Sequence, residues 1–210
     1  MQLIGMLDSP YVRRVAISLR LLDLPFEHRN ISVFRGFETI RAINPVVKVP
    51  TLVCDDGLML TESGVILEHL HDVAGRSLWP AQPEAKRRAL HVAGLALSAC
   101  EKSGAIIYER ARPAERRHEP WQARLLIQAQ GGFAALEAQL AREPLPVDEA
   151  SLTHAGVAVA VAWGFAQLVI PDVVPAGAHP VLAATCDRLE RLPAFVATPT
   201  DENYVATYRR

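Results

Sequence analysis

The segment Arg76-Ser77-Leu78-Trp79-Pro80-Ala81-Gln82-Pro83 divides the chain into two stretches that cannot share one architecture. Before it, short β-like runs alternate with short helical patterns. After it, residues 83–195 carry helical patterns only, broken by prolines. Proline has a fixed φ and no N–H, so a Pro-bearing stretch between two textures reads as a boundary. The expectation is a domain over residues 1–75, a connector over 76–82 and an all-helical domain over 83–210.

In the first stretch, Gln2–Met6 reads as a strand. Pro10–Leu22 reads as a helix, because Val12, Val15, Ala16, Leu19 and Leu22 fall on one face. It stops at Asp23-Leu24-Pro25. Phe26–Ile31 is a weaker strand, and Gly36–Ile43 suits a short helix ending before Asn44-Pro45. Thr51–Cys54 and Leu58–Thr61 flank Asp55-Asp56-Gly57, a hairpin signal. Ser63–Ala74 reads as a helix closed by Gly75. The order is βαβ, an irregular or helical stretch, then ββα, which calls for a small mixed sheet with helices packed on it. In the second stretch four helices or more are expected, near Glu84–Tyr108, Trp121–Ala141, Leu152–Val169 and Val181–Leu192. The run Ala155–Ile170 is broken only by Gln167. It is shorter than the ~20 residues of a membrane span, so it reads as a buried core helix.

Bulk properties exclude some function classes. The net charge is −1, which argues against a nucleic-acid binder, since phosphate binding needs a basic face. Residues 1–50 carry seven Lys or Arg against four acids, and residues 51–75 carry five acids and no Lys or Arg. Surface variation accounts for that unevenness, as does a basic rim for a small anion. Cys54, Cys100 and Cys186 are far apart, with no C-x-x-C and no Cys/His spacing for a metal, so no metal is expected. The opening MQLIGMLDSPYVRR lacks the order of a signal peptide. The expected setting is the cytoplasm, with no membrane partner.

Three short motifs carry chemistry. In Ser9-Pro10-Tyr11-Val12-Arg13-Arg14, proline suits the first helical turn and serine its N-cap. A plain capped helix explains those residues. The same geometry also presents unpaired N–H groups and a positive dipole end to an anion, with a hydroxyl beside them. In Asn44-Pro45-Val46-Val47-Lys48-Val49-Pro50-Thr51-Leu52, the Val-Pro pair admits a cis bond or a turn entering an edge strand. Thr61-Glu62-Ser63-Gly64 enters a helix, where a serine cap is the simplest reading. Each motif is weak alone; their order along one βαβ–ββα pattern is not.

In that order, S-P-x-x-R-R, N-P-x-x-K-V-P-x-L, T-E-S-x-x-I and a helical second half, the chain resembles the glutathione transferase superfamily over nearly its whole length. The resemblance is nearest to small bacterial cytosolic members that use serine at the first motif. It implies an α/β thioredoxin-like N-terminal domain (βαβαββα) followed by an all-α bundle. It implies glutathione as co-substrate, a small electrophilic second substrate and a homodimer. Carried over residue by residue, Ser9 would hydrogen-bond the glutathione sulfur. Val49, before a cis Pro50, would pair its backbone with the cysteinyl part. Glu62 and Ser63 would hold the γ-glutamyl end, and Lys48 and Arg35 the glycyl carboxylate. Tyr108 and Arg112 would wall the electrophile site. The family has an acid three residues after the Ser or Thr that starts its buried helix. Here His154 stands at that spacing from Ser151, so a weak cap is expected and His154→Asp would add roughly 0.5–2 kcal/mol.

The implied reaction is attack of the glutathione sulfur on an electrophilic carbon, giving a thioether. A free thiol of pKa ~8.5 is only about 3% thiolate at neutral pH. Lowering that pKa by about 2 units takes roughly 2.7 kcal/mol of anion stabilisation. One charge-assisted hydrogen bond at ~1.5–3 kcal/mol and a helix terminus at ~0.3–1 kcal/mol suffice. The alternative is a transferase-like interaction or regulatory protein that has lost catalysis. A thiol–disulfide oxidoreductase would need cysteine where Ser9 stands.

Overall fold

The computed structural model describes residues 1–200. They form two compact units. One is Met1–Leu78 together with the segment that begins at Pro193, and the other is Trp79–Leu192.

The first unit carries β1 (Gln2–Ile4), α1 (Pro10–Leu21), β2 (Glu27–Arg29), α2 (Phe37–Arg41), β3 (Thr51–Val53), β4 (Met59–Thr61) and α3 (Ser63–Ala74). This is the expected βαβαββα order. The sheet runs β2-β1-β3-β4, with β1 parallel to β2 and antiparallel to β3, and β3 antiparallel to β4. The hairpin between β3 and β4 turns on Gly57 at φ 87°, where a side chain would be strained. Leu3 and Leu52 from the central strands meet Val12, Val15, Ala16 and Leu19 of α1 and Ile66, Leu67 and Leu70 of α3. The helical spacing read from the sequence is therefore the core face.

Helix α1 ends in a Schellman motif. Asp23 takes φ 57°, its N–H bonds Arg20 O at 3.1 Å, and Leu24 N–H bonds Leu19 O at 3.0 Å. Asp tolerates this left-handed turn better than most residues, and Pro25 bars any continuation of the helix.

The second unit contains α4 (Pro83–Arg110), α5 (Glu119–Arg142), α6 (His154–Val169) and α7 (Pro180–Leu189). Helix α4 packs against both α5 and α6. Gly132 of α5 faces Ala99 of α4 so closely that a β-carbon there would lie 2.8 Å from the Ala99 Cβ. Helix α6 is buried from His154 through Trp163, all round, as its uninterrupted apolar sequence requires. No described helix is long and apolar enough to cross a membrane. At α7 the N-cap residue His179 makes no side-chain cap bond. Glu137 of α5 does the capping instead, accepting from Val181 N–H at 2.9 Å and Leu182 N–H at 2.8 Å. A carboxylate suits that positive end.

Three expectations need correction. First, the region expected over 83–210 does not stay together among the described residues: α8 (Pro193–Val196) packs on α1. Arg13 Nε donates to Thr198 O at 2.8 Å, and its guanidinium lies 5.9 Å from the Phe195 ring centroid. Residues 193–200 thereby belong with the first unit rather than with the helical region expected over 83–210.

Second, Ser151 is not the cap of α6. It bonds back to Asp148 through its N–H at 3.0 Å, while Thr153 is the N-cap, without a side-chain bond. His154 is thus the first helical residue, fully buried, with its ring 4.9 Å from that of Trp79. An Asp at 154 would bury a carboxylate against an indole, so His154→Asp is expected to destabilise the helix and not to strengthen it. Third, the α3 cap is Glu62 and not Ser63, as set out below.

Candidate functional site

The site is assembled where three loops of the first unit end against two helix starts. Strand β1 delivers the chain to Gly5 at φ 133°. A β-carbon at Gly5 would lie 2.6 Å from Val12 Cγ2 and 2.9 Å from Val49 Cβ. The absent side chain lets the β1–α1 turn, the start of α1 and the Val49 loop meet. Sequence reasoning missed this glycine. Its only signal was a glycine directly after a strand and before a capped helix.

Ser9 is half-buried at the N-cap of α1, φ −70° and ψ 118°. Its Oγ accepts from Val12 N–H at 3.4 Å, a long contact, and donates to no group among the described residues. The hydroxyl proton is therefore available at a helix N-terminus.

The segment 44–51 is held by a buried asparagine. Asn44 Nδ2 donates to Lys48 O at 3.1 Å, Thr51 Oγ1 at 2.8 Å and Thr61 Oγ1 at 3.3 Å, and its Oδ1 accepts from Val46 N–H at 3.0 Å. Thr51 Oγ1 donates to Lys48 O at 2.7 Å. The Val49–Pro50 bond is cis, and Val47 adopts φ 51°. A β-branched residue there is an outlier, at a cost of ~1–3 kcal/mol that the Asn44 bonds offset. Val49 is half-buried, and its N–H and C=O enter no hydrogen bond among the described residues. Lys48 is exposed beside it.

At α3, Glu62 is the N-cap, with φ 75°. Its Oε2 accepts from Val65 N–H at 3.1 Å, and its Oε1 accepts from Ser63 Oγ at 3.3 Å. Desolvation pushes its carboxyl upward, but the Gly64 and Val65 N–H groups, the Ser63 hydroxyl and the Arg14 charge together hold it below the ordinary value. Glu62 is thus an anion at neutral pH. Ser63 is the first helical residue and is buried, and its Oγ accepts from Arg14 Nη1 at 3.1 Å. Arg14 is itself only 5% exposed. The Ser9 motif contained this arginine, but nothing in the sequence showed that it turns toward Ser63.

Ser9, Val49 with Pro50, and Glu62 with Ser63 are thus gathered on one unit. Arg35 is exposed in the turn before α2, where its N–H is capped by Ser32 Oγ at 3.3 Å. Tyr108 is exposed near the end of α4 in the second unit. Arg112 lies just past that end, its Nε 3.1 Å from the buried Glu109 carboxylate.

The arrangement offers a hydroxyl and a helix dipole to an anion, a backbone edge unpaired among the described residues to an extended peptide, and a carboxylate beside a buried cation. The chain as a whole is similar to known proteins. Residues 3–77 match the family model for the glutathione S-transferase N-terminal domain. The GST-like protein YibF of Escherichia coli (strain K12) is 28% identical over 165 residues, which span 78% of this chain and 81% of that one. A glutathione S-transferase from Methylobacterium radiotolerans JCM 2831, in complex with glutathione sulfonate, is 28% identical with a TM-score of 0.85, covering 95% of each chain. A glutathione transferase family member from Pseudomonas fluorescens Pf-5, with bound S-(propanoic acid)-glutathione, has a TM-score of 0.77 and covers 96% of this chain and 100% of that one. With 30% identity sustained over that span, and with its first unit matched by the family model, the chain belongs to the glutathione transferase superfamily.

Proposed function

We propose that this protein is a glutathione transferase that holds glutathione on its first unit and conjugates its sulfur to a small electrophile. The observation that carries this reading is the Val49 backbone. Among the described residues its N–H and C=O have no hydrogen-bond partner, and it lies beside the start of α1. An extended peptide can pair with that edge as an added strand, which places its central residue near Ser9. Two relatives whose structures hold glutathione derivatives support the same reading.

In this reading the Ser9 hydroxyl donates to the sulfur, and with the α1 dipole it favours the thiolate, the nucleophile. Charge divides the other end of the tripeptide. Glu62 is anionic, so it takes the ammonium of the γ-glutamyl group, and Ser63 takes the neighbouring carboxylate. Lys48 and Arg35 serve the glycyl carboxylate, and Tyr108 and Arg112 wall the electrophile site. Glutathione is consumed as co-substrate, and no step calls on a metal. The protein works as a cytoplasmic homodimer.

Titration calorimetry with glutathione, followed by conjugation of a reactive aryl halide, tests the proposal. Binding with turnover supports it. Binding without turnover leaves a non-catalytic relative, and absence of binding removes the reading. Light scattering that gives a concentration-independent mass near the 23.0 kDa monomer would refute the dimer.

A further inference from the structure

The γ-glutamyl end of the site poses an electrostatic problem that Glu62 cannot solve. A carboxylate that docks at the start of α3 comes to rest beside an ionised Glu62, and like charges at such range repel. The helix end contributes only about half a positive charge, and the Glu62 side chain already occupies the Val65 N–H. Something else has to balance the site.

Among the described residues, Arg14 is a buried side chain in position to do so. It projects from α1, the helix that Ser9 caps, and reaches Ser63, 49 residues later in sequence, at 3.1 Å. A serine hydroxyl has one hydrogen to give and two lone pairs to fill. Arg14 fills a lone pair, so the hydrogen must be spent elsewhere. It goes to Glu62 Oε1 at 3.3 Å, a long bond that is readily exchanged. Arg14 thus fills a lone pair of Ser63 and orients its hydroxyl hydrogen away from the guanidinium, while its charge offsets that of Glu62.

We infer that Arg14 is a positioning residue for substrate: through Ser63 it makes the start of α3 accept the α-carboxylate of a γ-glutamyl peptide beside an ionised Glu62. It touches Ser63 rather than any reacting atom, and the inference rests on the glutathione reading above. Arg13, its neighbour, donates its Nε to Thr198 O instead.

The test compares two ligands on the full chain by calorimetry: glutathione, and γ-aminobutyryl-cysteinyl-glycine, which lacks only the α-carboxylate. The unmodified protein should prefer glutathione. Arg14→Met should weaken glutathione by roughly tenfold to a hundredfold, the range for a lost charge-assisted bond, and should scarcely change the analogue. The preference for the carboxylate then collapses, which a general loosening of the fold would not produce. Equal losses for both ligands, or no loss, would overturn the assignment. Should Arg14→Met fail to fold, as a melting scan would reveal, Arg14→Lys decides. It keeps a cation but not the reach to Ser63, so the preference should shrink, and equal losses again overturn the inference. If the unmodified protein binds neither ligand, the glutathione reading itself has failed, an outcome distinct from either variant's behaviour.

Discussion

The two units bury different chemistry. In the first, Arg14, Asn44, Thr51 and Ser63 are buried and hydrogen-bonded to partners fixed in direction. In the second, α6 buries an almost unbroken run of alanine and valine, and its fit to α4 is a matter of volume. A hydrogen bond has a donor, an acceptor and an angle, so few residues can replace Asn44 or Ser63. A packed apolar face tolerates exchange if volume is kept. The first unit is therefore fixed in direction as well as in volume, as the proposed glutathione site requires. The second unit's side chains are freer to vary.

The largest effect should come from a methyl group placed where the first unit has no room. Gly5→Ala meets Val12 and Val49 at 2.6 and 2.9 Å and forces a residue into φ 133°. Overpacking at ~1–3 kcal/mol plus backbone strain at ~1–3 kcal/mol predicts a loss of about 2–6 kcal/mol. Glutathione affinity should fall even in folded protein, because Val49 moves. Denaturant unfolding and calorimetry check both, and an unchanged midpoint would deny that this turn is rigid.

Ser9→Ala should come next, in rate rather than in stability. Pro10 still opens α1, and the cap contact it removes is a long one. Removing one donor to an anion costs ~2.7–4 kcal/mol of barrier, about a hundredfold or more in turnover. Ultraviolet titration of bound glutathione should show a raised thiol pKa. Equal pKa and equal rates would leave Ser9 as a cap alone.

Gly132→Ala makes the matching intrusion in the second unit, against Ala99 at 2.8 Å, but in an ordinary helical backbone. Overpacking alone predicts ~1–3 kcal/mol, with no change in the thiol pKa. If that pKa does shift, the contrast between the two units is not one of separate tasks.

The smallest effect is pH-dependent. The Glu62 carboxyl is held below its ordinary 4.5, so its contribution to stability is present above that value and is lost as pH falls through the lowered one. Glu62→Gln should therefore be less stable than the unmodified protein at neutral pH, and the gap should close in acid. An equal gap at every pH would mean that the charge is not what stabilises the turn.

What the sequence alone determined is local. The apolar spacing of α1, its Ser9-Pro10 start, the Asp55-Asp56-Gly57 hairpin and the unbroken apolar run of α6 each lie within a few residues, and periodicity and caps act over that range. The motifs around Val49-Pro50 and Glu62-Ser63 were legible for the same reason. What only the tertiary structure decided is which distant partner completes each local device. Glu62, not Ser63, caps α3. His154 begins α6 and rests against Trp79 rather than occupying the third helical position. Glu137 caps α7 from 44 residues away, Thr198 returns to Arg13 across 185, and Arg14 turns to Ser63. A buried polar group must find a partner, but chain order does not say which. That choice is made by the packing that brings the elements together.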